Sequence, residues 1–260
     1  MDGVSRYQVG QISVMCLTDG GANFPAKIFP SVDDALRATR LSDAGLSEIQ
    51  TNFNCYVLQY PDGRVKMIDT GFGTKVVSAG GQMRALLEGL GIAPADVSQI
   101  VFTHLHNDHC GGAMDHDGLV FPNAEIILHV DEAAHWAGTD VAAGQLLAAS
   151  KNTRTVEDGA DLGDGLTVWA LPGHTPGHMG LRLGELAFVG DVVHSEALQL
   201  PDPTTSSIYD VDAAAALKSR ILALENVADH GLIWTGCHML GPQKFARLKR
   251  VGQGFVRVPL

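Results

Sequence analysis

The sequence lacks the features that direct a chain to nucleic acid, to a membrane or to secretion. It holds 18 Lys and Arg residues against 29 Asp and Glu residues, a net charge of −11, and has no basic run. This excess of acid disfavours nucleic acid and anionic membrane surfaces as partners. No apolar stretch has the length of a membrane span. The start, MDGVSRYQVG, lacks the basic cluster and apolar run of a signal peptide.

Cysteine is scarce and dispersed. The four cysteines form no CxxC pair and lie at Cys16, Cys55, Cys110 and Cys237. Such spacing disfavours both a disulfide framework and a structural cysteine–zinc site. We therefore expect reduced thiols in a cytoplasmic protein.

The composition and the apolar pattern predict a mixed fold. The 260 residues are 45% hydrophobic and 18% charged, which suffices for a packed core. Runs with strand character are predicted at Gln11–Leu17, Asn54–Gln59, Val65–Ile68, Ile100–Thr103, Glu125–His129, Leu166–Ala170, Gly180–Leu183, Leu186–Val189, Leu232–Thr235 and Phe255–Val258. Helical patterns are predicted at Gln82–Leu90, Asp131–Trp136, Val141–Ala149 and Asp212–Ala228. Without a repeat or a linker, this pattern predicts one α/β (α+β) domain over residues 1–260.

Residues 20–50 fit neither the strand period nor the helix period. Pro25 and Pro30 interrupt scattered apolar residues there. Long stretches without regular structure are uncommon in compact domains and usually have a function. We expect an N-terminal excursion that covers part of the molecule or meets a second copy, and we predict a homodimer.

The strongest chemical signal follows the apolar run at residues 100–102. The segment 103–109 reads THLHNDH and carries four metal-competent side chains, namely His104, His106, Asp108 and His109. Alternate residues at a strand end point to one side, so His104 and His106 can project together. Imidazole and carboxylate ligands suit zinc, iron or manganese. The segment therefore predicts a metal site.

Three later segments place further donors after predicted strands. Residues 171–178 read LPGHTPGH and carry His174, Asp191 follows the apolar run 186–189, and His238 follows the strand at 232–235. A carboxylate at the end of an apolar strand is unfavourable unless a cation pairs with it. Each of these residues alone is more often structural. Together with the first motif, they are predicted metal ligands.

These motifs resemble those of the metallo-β-lactamase superfamily over nearly the whole chain. Its HxHxDH motif matches residues 104–109, and its Asp-Thr-Gly motif matches residues 69–71. Its later Gly-His, Gly-Asp and strand-end His motifs match residues 173–174, 190–191 and 238. The resemblance implies an αββα sandwich, in which two mixed β-sheets lie between layers of helices.

The resemblance also implies a ligand set for two Zn²⁺ ions per chain, with Fe, Mn or Co as compatible alternatives. One metal would be held by His104, His106 and His174. The other would be held by Asp108, His109 and His238, with Asp191 bridging both. His178, the second histidine of GHTPGH, would have a structural or supporting role.

Within the superfamily, the chain is most similar to the methyl parathion hydrolase-like group, which also contains lactonases. The similar stretches are residues 173–178, 190–194, 198–203, 209–212 and 252–259. The chain differs from that group after His238, where residues 239–242 read MLGP. It also has His194 where the well-known quorum-quenching lactonases have a tyrosine. We expect His194, Phe72 and Trp136 to bind substrate.

The mechanism implied by this resemblance is hydrolysis by a metal-bridging hydroxide. Two neighbouring metals lower the pKa of a shared water toward neutrality, and the hydroxide attacks a carbonyl or phosphoryl centre. The role of Asp108 in relatives implies that it also accepts a proton after the attack. No G-x-S-x-G segment supplies a serine nucleophile, and Cys110 is expected to be a small buried thiol. The leading interpretation is a lactonase that cleaves small uncharged esters, with arylesterase or organophosphate hydrolase activity.

Two alternatives stay open at this point. A thioester hydrolase of the glyoxalase II kind, or a β-lactamase, uses the same fold. Glyoxalase-like action requires basic residues for its anionic thiol substrate, and the C-terminal half clusters them only at residues 244–250. An iron redox protein is the alternative from another class, but its flavin-linked members replace a histidine of the first motif by glutamate, whereas this chain keeps His106.

Overall fold

The computed structural model describes residues 1–73 and 79–260. Its strands are, in chain order, β1 (Val4–Val9), β2 (Ile12–Phe24), β3 (Ile49–Gln59), β4 (Val65–Ile68), β5 (Val97–Val101), β6 (Met114–Asp115), β7 (Gly118–Leu119), β8 (Glu125–His129), β9 (Thr153–Val156), β10 (Leu166–Ala170), β11 (Met179–Leu183), β12 (Leu186–Phe188), β13 (Ile233–Thr235), β14 (Ala246–Val251) and β15 (Gly254–Pro259). Its α-helices are α1 (Asp34–Asp43), α2 (Met83–Gly89), α3 (Asn107–Cys110), α4 (Val130–Trp136), α5 (Ala142–Ala149), α6 (Glu196–Gln199) and α7 (Ala213–Asp229).

Two large mixed sheets contain most of these strands. The first has the order β1-β2-β3-β4-β5-β8-β9, and the second has the order β10-β11-β12-β13-β14-β15. The first sheet is antiparallel from β1 to β4 and parallel from β4 to β9. In the second sheet β12 and β13 are parallel, and the other neighbours are antiparallel. Strands β10, β12 and β13 therefore run in the same direction.

The hydrophobic core lies in three layers. Between the sheets, Leu58 and Ile127 of the first sheet share a buried cluster with Leu181 and Phe188 of the second. On its other face the first sheet packs against α2 and α5, and the second sheet packs against α7. The order helix, sheet, sheet, helix is the predicted αββα sandwich, and the mixed α/β fold class is confirmed.

Helix α7 shows how local sequence sets the helix bounds. The Asp212 side chain caps its N-terminus by accepting from the backbone amides of Ala214 and Ala215, each at 3.0 Å. Ala223, Leu224 and other residues at helical spacing are buried against the second sheet. At 17 residues α7 is the longest helix in the described ranges, and none of the helices there has both the length and the apolarity to cross a bilayer.

The predicted excursion over residues 20–50 is shorter in the structure, because both of its ends belong to strands. Strand β2 continues through Phe24 and pairs with β3 down to Ile49, so only residues 25–48 leave the sheet. Gly20 and Gly21 hide the strand pattern, because glycine carries no side chain to alternate. Within the excursion, the Asp33 side chain caps α1 by accepting from the Leu36 amide at 2.8 Å. The apolar side chains of this segment pack against Ala197 and Leu198; the homodimer stays a prediction.

Candidate metal centre

The predicted ligands converge from loops that follow strands of both sheets. His104 and His106 follow β5, and Asp108 and His109 lie in the short helix α3. From the second sheet, single donors follow β10, β12 and β13, and these are His174, Asp191 and His238. The carboxyl ends of neighbouring strands that run in one direction meet at one edge of a sheet, which is why residues so distant in sequence come together.

The first set of donors, here the three-histidine group, comprises His104, His106 and His174. His106 Nδ1 lies 3.0 Å from His104 Nε2 and 2.9 Å from His174 Nε2. Nitrogen ligands of a tetrahedral zinc ion are roughly 3.3 Å apart, given zinc–nitrogen bonds of about 2.0–2.1 Å. Burial lowers the pKa of His106 to about 3 and that of His104 well below its usual value. Both rings are therefore neutral at pH 7, which is the form that binds metal.

The second set, here the mixed group, comprises Asp108, His109 and His238. Asp108 Oδ2 lies 3.7 Å from both His109 Nε2 and His238 Nε2. Burial lowers the pKa of both rings, but the surrounding carboxylates, Asp191 foremost, together outweigh burial and raise the pKa of His109 and of His238. The mixed group thus contains carboxylate and imidazole donors in close electrostatic contact.

Asp191 lies between the two groups. Its Oδ2 is 2.9 Å from His238 Nε2 and 3.5 Å from His174 Nε2, and its Oδ1 is 3.1 Å from His109 Nε2. Burial raises its pKa, but His109 and His238 lower it well below the usual value, so the carboxylate is ionised. One carboxylate therefore reaches donors of both groups.

Two buried atoms in this cluster show that the donors fit a cation. His109 Nε2 and Asp191 Oδ1 have no hydrogen-bond partner within the described ranges, although they are 3.1 Å apart. A buried ionised oxygen without a partner is strongly unfavourable. A divalent ion beside both atoms would satisfy them, and histidine and carboxylate donors suit such ions.

Carboxylates hold the far side of two of the rings. Asp69 Oδ2 lies 2.8 Å from His109 Nδ1, and Asp210 Oδ1 lies 3.1 Å from His174 Nδ1. Arg220 in turn donates to Asp210 Oδ2 at 3.2 Å. A carboxylate that accepts from Nδ1 keeps the proton there, so the Nε2 lone pair faces the cluster.

The Asp69 side chain also fixes the start of the first motif. It accepts from the Thr103 amide and from the Thr103 hydroxyl, each at 2.8 Å. Asp69 has a φ of 57°, a left-handed conformation that Asp and Asn adopt more readily than most residues. The Asp-Thr-Gly segment thus positions His109 rather than supplying a metal donor.

Buried Glu132 connects two of the ligand-bearing loops. Its carboxylate accepts from the Leu105 amide at 2.8 Å, from Thr175 Oγ1 at 2.5 Å and from Trp136 Nε1 at 2.6 Å. Leu105 lies between two ligands of the first motif, and Thr175 follows His174. A single side chain in α4 therefore fixes the two ligand-bearing loops relative to each other.

His178 supports Asp191 through the backbone. Its Nδ1 donates to the Leu171 carbonyl at 2.8 Å, and its Nε2 accepts from the Asp191 amide at 2.9 Å. Gly190 has a φ of +54°, and a Cβ there would lie 2.5 Å from His178 Nε2. Only glycine therefore allows this close approach.

A cavity of about 240 Å³ opens onto the two groups. Its walls are formed by Phe24, His106, Asn107, Asp108, His174, Asp191, His194, Tyr209 and His238. The Phe24 and Tyr209 rings contact each other with centroids 5.8 Å apart. Both residues border the mouth, and sequence reasoning missed them as pocket residues.

Two of the three residues predicted to bind substrate are absent from the lining of this cavity as the described residues form it. Within the described ranges, neither Phe72 nor Trp136 is among its lining residues. The Phe72 ring packs edge-on against Phe53 at 5.0 Å, and the Trp136 ring packs edge-on against His106 at 5.8 Å. Trp136 thus contacts a residue of the cavity wall, whereas Phe72 contacts a residue outside it, and a role of either in substrate binding stays a prediction.

The third expected residue, His194, does line the cavity. Its ring stacks on His238 at 5.1 Å, and its Nε2 lies 3.6 Å from Asp191 Oδ2. Neither ring nitrogen has a hydrogen-bond partner within the described part of the chain. Burial lowers the pKa of His194 well below its usual value, so the neutral ring has one donor and one acceptor available.

The four cysteines are buried and unpaired. Cys110 Sγ donates to the Leu105 carbonyl at 3.3 Å, and burial raises its pKa to about 12. Cys110 is therefore a structural thiol, as expected from the sequence. Cys237 differs, because its sulfur lies close to donors of the mixed group.

Comparison with known proteins identifies the family. Residues 51–229, more than half of the chain, match the family described as the Metallo-beta-lactamase superfamily. The chain belongs to this superfamily. The predicted resemblance is thereby confirmed, and the fold described above agrees with it.

Known relatives and solved structures of this superfamily resemble the chain to different extents. Metallo-beta-lactamase domain-containing protein 1 of Xenopus laevis is 33% identical over 146 residues, which cover 52% of this chain and 56% of that protein. An N-acyl homoserine lactonase of Bacillus sp is 26% identical over 148 residues, covering 50% of this chain and 57% of that protein. The chain thus spans slightly more than half the length of these relatives.

One solved structure matches almost the whole chain. It is AidC, described as a dizinc quorum-quenching lactonase in complex with the product N-hexnoyl-L-homoserine. The two chains are 25% identical with a TM-score of 0.92, and the match covers 99% of this chain and 97% of AidC.

Proposed function

We propose that the chain is a hydrolase that uses two divalent metal ions to open lactones and to cleave related small uncharged esters. The observation that carries the proposal is the arrangement of the three-histidine and mixed groups around Asp191, at the base of a small cavity. The similarity to AidC and to the Bacillus lactonase supports lactones as the substrate class.

In this proposal each group binds one ion. His104, His106 and His174 would hold the first, Asp108, His109 and His238 would hold the second, and Asp191 would contact both. When bound, two such ions supply Lewis acidity that lowers the pKa of water toward neutrality and polarises the scissile carbonyl. Zinc fits the donor set, which is made of imidazole and carboxylate groups.

The residues of the chain orient donors and move the proton. Asp69 and Asp210 keep protons on the Nδ1 atoms of His109 and His174, so that the Nε2 atoms face the cluster. The Asp108 side chain is 17% exposed and borders the cavity. We assign Asp108 as the acceptor of the proton released after attack, since it is the carboxylate of the cluster that solvent reaches.

The cavity favours an uncharged substrate. No Lys or Arg is among its lining residues in the described ranges, so an anionic thioester of the glyoxalase II kind would lack a cationic partner. Burial and the nearby Asp108 carboxylate raise the pKa of Tyr209. Its hydroxyl therefore stays protonated and, with His194, can donate a hydrogen bond to a lactone oxygen.

The test combines metal analysis with a substrate panel. We expect about two zinc ions per chain in protein purified without chelator, and the highest kcat/KM for lactones among lactones of several acyl lengths, p-nitrophenyl esters, methyl parathion and a thioester. Exclusive turnover of the thioester, or a single iron per chain, would contradict the proposal. His116→Ala serves as a matched control for ligand variants, because the His116 side chain is 87% exposed and lies outside the cluster.

A further inference from the structure

Cys237 places a sulfur atom in the mixed group. It lies between β13 and His238, and its side chain is buried. Its Sγ, the His109 and His238 ring nitrogens and an Asp108 carboxylate oxygen all lie within 4.8 Å of one another. Four donors of three chemical kinds thus surround one point.

The two unpartnered atoms of the cluster lie at the same place. His109 is one of these four residues, and its Nε2 lies 3.1 Å from Asp191 Oδ1. Both are buried and lack hydrogen-bond partners in the described part of the chain. A cation bound beside these two atoms would give both of them a partner, whether or not the cysteine takes part. Such a cation would also lie close to the sulfur of Cys237.

Cys110 is a second buried cysteine beside a predicted ligand, and it shows what a purely structural thiol looks like. It directly follows His109 and is as buried as Cys237. However, its Sγ donates to the Leu105 carbonyl at 3.3 Å and so already has a structural partner. Burial and a neighbouring ligand in the sequence therefore do not by themselves make a cysteine a metal ligand. The sulfur of Cys237 differs because it is grouped with three metal donors.

We propose that Cys237 is a metal ligand, binding the second ion through Sγ beside Asp108, His109 and His238. This inference rests on the proposed function. The S–H bond breaks as the metal–sulfur bond forms, the sulfur keeps the electron pair, and the proton leaves to solvent. Cys237 and the bridging Asp191 would bring the protein donors around the second ion to five.

A sulfur donor changes which metals the site selects. Thiolate ligands favour zinc over manganese, whose preferred ligands are carboxylates and water. The two positions would then differ in selectivity as well as in donors. Cys237→Ser exchanges one atom, and it should shift the preference of the second position from zinc toward manganese.

X-ray absorption at the zinc edge of the wild-type protein, loaded with two zinc ions, tests the proposal without any variant. We expect a zinc–sulfur distance of about 2.3 Å with about half a sulfur per zinc, since one of two ions has the thiolate. Nitrogen and oxygen neighbours alone at both zinc ions would overturn the inference and leave the proposed function intact. Failure to bind stoichiometric metal would instead overturn the proposed function together with the inference.

Cobalt substitution assigns the sulfur to its residue. Wild-type protein with two Co²⁺ ions should show a sulfur-to-cobalt charge-transfer band in the near ultraviolet. Cys237→Ser should lose the band, and Cys110→Ser should retain it. A band that survives in Cys237→Ser, or that disappears in Cys110→Ser, would overturn the assignment, and the zinc measurement decides if Cys237→Ser does not fold.

Discussion

The two halves of the metal centre are built on different electrostatic plans. In the three-histidine group, burial keeps the rings of His104 and His106 neutral, and their nitrogens lie about as far apart as ligands of one ion. In the mixed group, carboxylates lie beside His109 and His238 and raise the pKa of both rings. The rings of the first half are already in the neutral form that binds an ion. In the second half, the carboxylates compensate the charge of the histidine rings.

This difference shows what a bridging carboxylate does in a buried site. Asp191 contacts donors of both halves. Its charge stabilises the histidines of the mixed group, and in the proposed function it also binds both ions. The two halves are therefore unequal in their donors but coupled through one side chain.

The largest effect is expected from Asp191→Asn. The amide keeps the size of the side chain but removes the charge that both halves use. We expect metal content to fall from about two ions to less than one per chain. We also expect kcat/KM to fall more than about 1,000-fold, beyond the 10–100-fold typical of residues that only support ligands. Metal content and kcat/KM that match wild type would show that Asp191 does not bridge.

A smaller and more selective effect is expected when one half is changed at a time. His106→Ala and His238→Ala should each remove one ion, from the three-histidine and the mixed group respectively, and lower kcat/KM about 100-fold or more. Metal titration of each variant measures the loss, with His116→Ala as the control. Loss of both ions from either variant would mean that the halves do not bind independently.

The supporting carboxylates offer a matched pair. Asp69→Asn and Asp210→Asn each weaken the hold on one Nδ1 atom, that of His109 or of His174. We expect a 10–100-fold loss of affinity for one ion in each case. The asparagine also tolerates the φ of 57° at position 69. Competition with a chelator measures each affinity, and equal weakening of both ions by either change would contradict the pairing.

The smallest effect concerns buried Lys244, which donates to the carbonyl of Met239, the residue after His238. Burial lowers its pKa from 10.5 to about 8. Between these pH values the unfolded chain binds one more proton than the folded chain. Lys244 by itself therefore adds to the free energy of unfolding as the pH rises, by up to about 1.4 kcal/mol per unit. The four buried thiols act in the opposite direction, because burial raises their pKa, so the contribution of Lys244 is the difference between wild type and Lys244→Met.

Urea denaturation of the metal-free wild type and of Lys244→Met from pH 7.5 to 10 measures this difference. The wild type should gain stability relative to Lys244→Met as the pH rises, and the variant should change kcat/KM only a few-fold, because the methionine loses one hydrogen bond behind the mixed group. A variant that keeps the wild-type slope would assign the proton to another group.

Much of this fold was predictable from local pattern. Each predicted strand and helix overlaps an observed one, because apolar runs and helical spacing report burial directly. Strand β1, strand β9 and strand β14 were missed, since their exposed positions interrupt the apolar pattern. Helix α1 was missed because it buries little, and only Leu41 among its residues is fully buried.

For the site, the sequence predicted the metal donors but few of the residues that support them. The THLHNDH segment contains donors at adjacent positions, so the sequence alone places them near one another. The contacts of Asp210 with His174 and of Glu132 with Thr175 join distant segments, and no local pattern indicates them. Phe24 and Tyr209 were missed for the same reason, because this part of the cavity wall forms only when the end of β2 and the loop between α6 and α7 come together.

The convergence of ligands from both sheets has a consequence for how such a protein can change over evolution. His104 and His106 depend on the position of the first sheet, and His174 depends on that of the second. The packing of the two sheets therefore sets the distances between the ligands. A mutation that alters this packing would weaken metal binding. Phe24, at the end of β2, and Tyr209, in the loop between α6 and α7, line the cavity without being proposed ligands. New substrate preferences can arise there while the chemistry is inherited unchanged.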